Sequence, residues 1–459
     1  MRTVLAAALV WLACAGSCGA ARFIAFSDPH LDPTADPSLV PALMAADAAD
    51  WGPILERDQT GFGQFGRDST WLLVRSALDQ MRSVEPDPAF LLLTGDLVVH
   101  RFRAKFDTVA PGRDDADYDA FVAKTIEFLV AQVMARFPGK PVYLALGNND
   151  DFCGDYGVEP TGAFLAATER TALALLGEAA DANAFARAWD AGFGYDVPNR
   201  AIAGLRMIFL NSILFSPKYA PCTPTAGHDP GGAALDWLAG RLAEARQAKE
   251  KVWLIVHIPP GGDAFATYGR GGCDGIVSMW TGATTDRFLQ LVRGNGDLIG
   301  AIFAGHTHMD EFRLLGDPDH PDGLVLGTPG ISPLFAQNPG FHVYDVGASG
   351  QLLDRQTWAL KNLPLVGPGV APDWRAEYRF DQLWGLPGLD PPGLAALAGR
   401  IATDPATRRN WFSVYRVGRE AAWGISGGVQ ALPPEEFAAY HCAITAVAVD
   451  AYRCCVCGG

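Results

Sequence analysis

Five short apolar runs in this chain each stop at a residue able to bind a metal ion, and no other feature restricts the fold as tightly. Phe23 to Ser27 leads into Asp28 and His30, and Leu91 to Leu93 into Thr94-Gly95-Asp96. Val142 to Leu146 leads into Asn148, Val252 to Val256 into His257, and Ala301 to Ala304 into His306 and His308. Unbroken apolar runs of this length read as strands buried on both faces. In open α/β sheets ligands bind beyond the carboxyl ends of the strands, so these residues are expected on one rim. That rim is the expected active site, with Asp96 holding two metal ions together.

Between the runs the pattern turns helical. Trp71, Val74, Leu78 and Met81 share one helix face, and Val122, Ile126, Val130, Val133 and Phe137 share another, from about residue 119 to the stop at Pro138-Gly139. Strand, helix, strand in this order predicts parallel crossovers. The Ala-rich stretch 160–195 is expected to form helices inserted over the site. Met207 to Leu210 reads as a strand and Leu235 to Lys251 as a helix, while Leu324 to Leu326 and Phe341 to Val346 are expected to close a second sheet. Pro and Gly over 362–370 mark a boundary. Beyond it Trp374, Tyr378, Trp384, Trp411, Phe412 and Tyr415 are expected to fill the core of a small helical unit.

With 51 acidic against 36 basic residues the formal charge is -15, which repels phosphate backbones and argues against a nucleic-acid partner. At the N-terminus Arg2, the apolar Val4 to Ala13 and the small residues through Ala21 predict a secretory signal peptide over 1–21. No stretch is long and apolar enough to cross a bilayer of ~30 Å, so no transmembrane segment is expected. Lipid attachment at Cys18 would lack the usual upstream leucine. Export permits disulfides, and Cys442, Cys454, Cys455 and Cys457 crowd the C-terminus without the paired spacing of a zinc site. An odd number of cysteines remains once the signal is removed, and Cys153 is the candidate for the unpaired thiol.

Asp, His and Asn without Cys suit zinc, manganese or iron. Two such ions ~3.5–4 Å apart can stabilise both oxygens of an in-line phosphoryl displacement. Taken in order, Asp28-Pro29-His30, Gly95-Asp96, Gly147-Asn148, His257 and Gly305-His306-Thr307-His308 resemble the calcineurin-like metallophosphoesterase superfamily over residues 22–350. His100 four residues after Asp96, His257-Ile258-Pro259-Pro260-Gly261, the run Gly305 to Phe312, and Asp68-Ser69 ahead of Trp71 resemble its acid sphingomyelinase-like phosphodiesterase family.

The resemblance implies an α/β fold, the metallophosphoesterase four-layer sandwich of two mixed β-sheets flanked by helices, over 22–361. A helical, cysteine-rich C-terminal subdomain would occupy 362–459. It implies two divalent metal ions, zinc in this family, with Asp28, His30 and His308 on one, Asn148, His257 and His306 on the other, and Asp96 bridging. A metal-bound hydroxide would attack phosphorus and His100 would protonate the leaving group. The resemblance also implies a disulfide joining Cys222 to Cys273.

One departure stands out. The family's Gly-Asn-His is here Gly147-Asn148-Asn149-Asp150, and Asn149 can donate a hydrogen bond but no proton. The acid role then falls on His100, with Asp150 as the second candidate. Asn211 could bind substrate, with capping as the equal alternative. No saposin-like segment precedes the first strand, so the expected substrate is a small-molecule phosphodiester, pyrophosphate or nucleotide rather than sphingomyelin, with a phospholipid head group as the other candidate. The expected protein is a secreted or periplasmic monomeric phosphodiesterase. A phosphomonoesterase on the same scaffold and a metal-retaining binding protein are its competitors.

Overall fold

Buried strand cores and capped helices divide this chain into two facing sheets with helices outside them. The computed structural model describes residues 21–177, 180–223, 229–419 and 434–458; the expected signal segment, apart from Ala21, lies outside the described residues. The first sheet has the order β12-β11-β10-β1-β2-β3, and the second β4-β5-β6-β7-β9-β8. In the first, β1 (Ala21–Phe26), β2 (Leu91–Leu93) and β3 (Val142–Leu144) run parallel, while β10 (Gly340–Val346), β11 (Leu352–Leu360) and β12 (Trp374–Arg379) add antiparallel strands. In the second, β4 (Gly194–Pro198) is antiparallel to β5 (Leu205–Leu210). β5, β6 (Lys251–Ile255), β7 (Ile299–Ala304) and β9 (His320–Gly327) are parallel, and β8 (Phe312–Asp317) pairs antiparallel with β9.

The sheets meet through aromatic side chains. Phe23 on β1 stacks on Tyr344 and Phe90, with ring centroids 4.8 and 4.6 Å away, and reaches Trp253 on β6 at 5.4 Å and Phe303 on β7 at 6.0 Å. This packing brings the carboxyl ends of strands from both sheets to one rim. The two long outer helices start where the sequence supplies caps. Thr70 accepts from Leu73 N ahead of Trp71–Val84, and Asp114 accepts from Asp117 N ahead of Asp115–Arg136, four residues earlier than expected.

Several expectations change. Phe341 to Val346 belongs to the first sheet, because β10 pairs with β1 rather than with β9. The helices Ala163–Leu176 and Ala182–Ala191 contribute no residue to the cleft that holds His100; Phe164 and Thr168 instead line a small cavity with Asp150, Leu97 and Leu144. Past residue 362 the chain first returns to the first sheet as β12 and then forms the helices Pro391–Thr403, Pro405–Tyr415, Pro434–Thr445 and Val449–Val456. Trp411, Phe412 and Tyr415 are buried there and Trp384 at the end of the short helix Phe380–Trp384, whereas Trp374 and Tyr378 sit on β12.

Three disulfides join Cys153 to Cys222, Cys273 to Cys457 and Cys442 to Cys455, with Cα atoms 5.5, 4.9 and 5.8 Å apart. The expected Cys222–Cys273 pair is therefore absent, and among the described residues Cys454, not Cys153, is the free thiol. The reason is tertiary: Ala220 N donates to Tyr156 O, which lays the Cys222 loop on the Cys153 loop, while Cys273 lies under the C-terminal helices. Among the described residues no helix is long and apolar enough to cross a membrane.

Candidate active site

The ligand-type residues leave their strands in backbone conformations that side chains seldom adopt. Asp28, His30, Asp96, His306 and His308 have φ of 49°, 38°, 54°, 69° and 63°. Each such residue costs about 1–3 kcal/mol and persists only where its surroundings hold it. Here the loops hold one another: Asp28 N donates to Gly95 O (3.0 Å), His30 N to Asp96 O (3.1 Å) and Gly305 N to His257 O (2.9 Å). Glycines permit this closeness. A Cβ on Gly147 would collide with the Asp96 carboxylate, and one on Gly305 with Ser27 Oγ.

Asp28, His30 and His308 bring ligand atoms within 4.8 Å of one another, and so do Asp96, His257 and His306. The groups adjoin, since Asp96 Oδ2 lies 3.4 Å from His30 Nε2 and 3.1 Å from His257 Nε2. Asn148 Oδ1 lies 3.1 Å from His257 Nε2. Three imidazoles are aimed by backbone carbonyls: Nδ1 of His30 donates to Val98 O (2.9 Å), that of His257 to Thr94 O (2.7 Å) and that of His308 to Ser332 O (2.9 Å). Each then turns Nε2 to the cluster, the arrangement that fixes a metal-binding tautomer. Asp155 accepts from Asn148 Nδ2 at 2.6 Å and leaves the amide oxygen facing inward. Nothing in the sequence pattern had singled out Asp155.

Asp28 Oδ1 and His30 Nε2 are buried without a hydrogen-bond partner. Leaving such atoms unsatisfied costs about 1–3 kcal/mol each, and a divalent cation would satisfy both, so the donor set fits metal. The charges agree. Burial opposes ionisation of Asp28, but the neighbouring His308 and His30 outweigh it and hold the carboxyl well below its usual range. Burial likewise opposes protonation of His257, yet Asp96 and Asp28 lift it to about 9. A cation there would take the proton's place.

His100 stands at the edge of the cluster, its ring stacked on His30 at 3.9 Å and its Nδ1 2.8 Å from Asp68 Oδ1. Burial lowers its basicity, but the Asp68 bond and charge prevail and the pKa is raised above the ordinary 6.5. It lines a cleft of about 830 Å³ with Arg67, Asp68, Arg101, Lys105 and Phe335. Asp150 has a different place from the one expected. Its Oδ1 accepts from Leu97 N (2.7 Å) and Val98 N (3.2 Å) and its Oδ2 from Gly147 N (2.8 Å), so both oxygens are spent on the loops after β2 and β3. Burial, then the charge of Asp96, pushes it up to about 7. Asn149 turns inward as well, its N and Nδ2 donating to the two oxygens of Asp96 at 2.8 and 2.9 Å. Asn211 caps the turn Ser212–Phe215 and binds Gly192 O, away from the cluster.

A family model described as calcineurin-like phosphoesterase matches residues 21–310, well over half of the chain. Human "acid sphingomyelinase-like phosphodiesterase 3b" is 27% identical over 98% of this chain and 94% of its own length. Mouse "cyclic GMP-AMP phosphodiesterase SMPDL3A" is 27% identical over 82% of this chain and 80% of its length. Human "sphingomyelin phosphodiesterase" is 29% identical over 47% of this chain and 32% of its own. Among solved structures, a dimetal phosphatase from Danio rerio aligns over 74% of this chain and 95% of its own, with 12% identity and a TM-score of 0.42.

Proposed function

Since the chain belongs to the calcineurin-like phosphoesterase family and its relatives include proteins named phosphodiesterases, we propose that it cleaves phosphodiester or pyrophosphate bonds with two zinc ions. In this reading Asp28, His30 and His308 hold one ion, Asn148, His257 and His306 the other, and Asp96 bridges. The observation that carries it is the pair of adjoining ligand groups, one of which holds the buried, partnerless Asp28 Oδ1 and His30 Nε2. When bound, the ions supply an activated water and neutralise charge on the phosphoryl oxygens.

The chain's own groups do the rest. Asp68, itself within 3.2 Å of Lys105, fixes Nδ1 of His100, so the opposite nitrogen can hold a proton toward the cleft and pass it to the leaving oxygen. Asp150 supports that step only indirectly, as a brace between the loops carrying Asp96 and Asn148. Arg67 and Arg101 line the same cleft with no carboxylate partner among the described residues, whereas Asp32, Asp68 and Asp155 are all hydrogen-bonded. These two guanidinium groups favour an anionic nucleotide or other small diester over a zwitterionic lipid head group. Three disulfides support export, with a signal segment over 1–21. The proposal is completed by a catalytic domain over 22–361 and a helical subdomain from 362 that lends β12 to the first sheet.

The test is zinc-loaded turnover of bis(p-nitrophenyl) phosphate against p-nitrophenyl phosphate, for wild type and His100→Ala. Faster diester cleavage that falls about 100- to 10,000-fold in the variant supports the proposal. Preference for the monoester would make the protein a phosphomonoesterase. No turnover by protein that has bound its metal would leave a binding protein.

A further inference from the structure

We propose that Lys218 meets the substrate phosphate on the Asn148 side of the cluster, held in place by Tyr156; this rests on the phosphodiesterase reading above. Asn149 is turned to Asp96, to which its N and one hydrogen of Nδ2 donate. Beyond it two loops form a wall. Tyr156 adopts φ of 61°, an outlier for a bulky residue, and its neighbours keep it there. Its N donates to Asn148 O (2.7 Å), its carbonyl accepts from Ala220 N (3.2 Å), and the Cys153–Cys222 disulfide ties its loop to the one carrying Lys218.

The buried Tyr156 ring stands edge-on to His306 at 6.3 Å, and its hydroxyl accepts from Lys218 Nζ at 3.2 Å. The ammonium lies 4.9 Å from the ring centroid. No carboxylate of the described residues pairs with it, in a chain where acids outnumber bases by 51 to 36. Tyr156 ties it to the Asn148 ligand set, since the ring that carries the ammonium meets His306 and the tyrosine N bonds Asn148 O. A packing pair would need neither the strained Tyr156 nor a lysine without an acid. An ammonium with one N–H on the Tyr156 hydroxyl and no other partner among the described residues is what a developing phosphoryl charge requires. Lys218 then faces the non-bridging oxygens, across the cluster from His100, and transfers no proton.

The test compares wild type, Lys218→Met and Lys218→Arg, all zinc-loaded, in turnover of bis(p-nitrophenyl) phosphate and in calorimetric binding of inorganic phosphate. Metal content and melting temperature are measured alongside. The expected result for Lys218→Met is a loss of about 100- to 1,000-fold in kcat/KM and about 10-fold or more in phosphate affinity, at unchanged metal content and melting temperature. Lys218→Arg should recover most of both. If Lys218→Met equals wild type in turnover and phosphate binding, the inference is overturned and the phosphodiesterase reading stands. If metal-loaded wild type fails to turn over, that reading falls, and phosphate binding alone still decides whether Lys218 contacts the anion.

Discussion

Around Asp28, His30 and His308 the cluster is closed, whereas the half with Asn148, His257 and His306 opens at His306. In the closed half every ligand-type residue is buried, and both imidazoles are pinned by carbonyls. In the open half His257 is pinned in the same way, but His306 is half-buried and its ring makes no hydrogen bond among the described residues. Asn148 depends on Asp155, which itself lines the cleft. The difference teaches that one half is organised by the fold before any ligand arrives, while the other keeps the freedom that substrate entry and product release require.

Asp96 belongs to both halves, so Asp96→Asn should be the most damaging change. The expected outcome is a loss of about 1,000-fold in kcat/KM with both metals diminished by elemental analysis. Retention of a full complement in the closed half alone would sharpen the contrast. Asp155→Ala should affect only the open half, lowering its metal affinity about 10- to 100-fold, so that dialysis leaves close to one ion per chain. Loss of both ions together would break the comparison.

The open side also carries a pH dependence. Burial raises Asp151 to about 7, from an unfolded value near 3.8. The folded chain therefore holds this proton more tightly, and its contribution to stability is full below the unfolded value and lost as pH rises through the folded one. Metal-free wild type should lose about 2 kcal/mol from this group between pH 5 and 7, measured by denaturant melts, and Asp151→Asn should remove that part of the slope. The smallest effect separates the two histidines of the Gly-His-Thr-His run. His308→Ala leaves the buried Ser332 carbonyl without its His308 donor and should destabilise the metal-free protein by about 1 kcal/mol more than His306→Ala. Equal melting temperatures would mean that the closed half is no better braced than the open one.

Much of this was legible from residues. An apolar run that stops at Asp28, Asp96, Asn148, His257 or His306 states both a buried strand and what stands at its end, because a strand buried on both faces needs no alternation and ends where polarity begins. The spacing of His100 from Asp96 was equally plain. Asp155 was not, since nothing local marks an aspartate that orients an amide seven residues away. The surroundings of Asp150 were hidden for a related reason: nothing along the chain shows that three backbone N–H groups bond a carboxylate beside a ligand.

By itself the sequence determined which ligand-type side chains stand at strand ends, the order in which strands deliver them, and that helices alternate with most of those strands. These follow from hydrophobic period and residue type, which act locally. Only the tertiary structure decided that β10 joins β1, that Cys222 meets Cys153, that Asn149 turns to Asp96, and that five ligand-type residues adopt positive φ. Each of these depends on what another segment places opposite, through a ladder partner, a facing loop or a hydrogen bond that holds strain in place, and such pairings have no signature along a single stretch of chain.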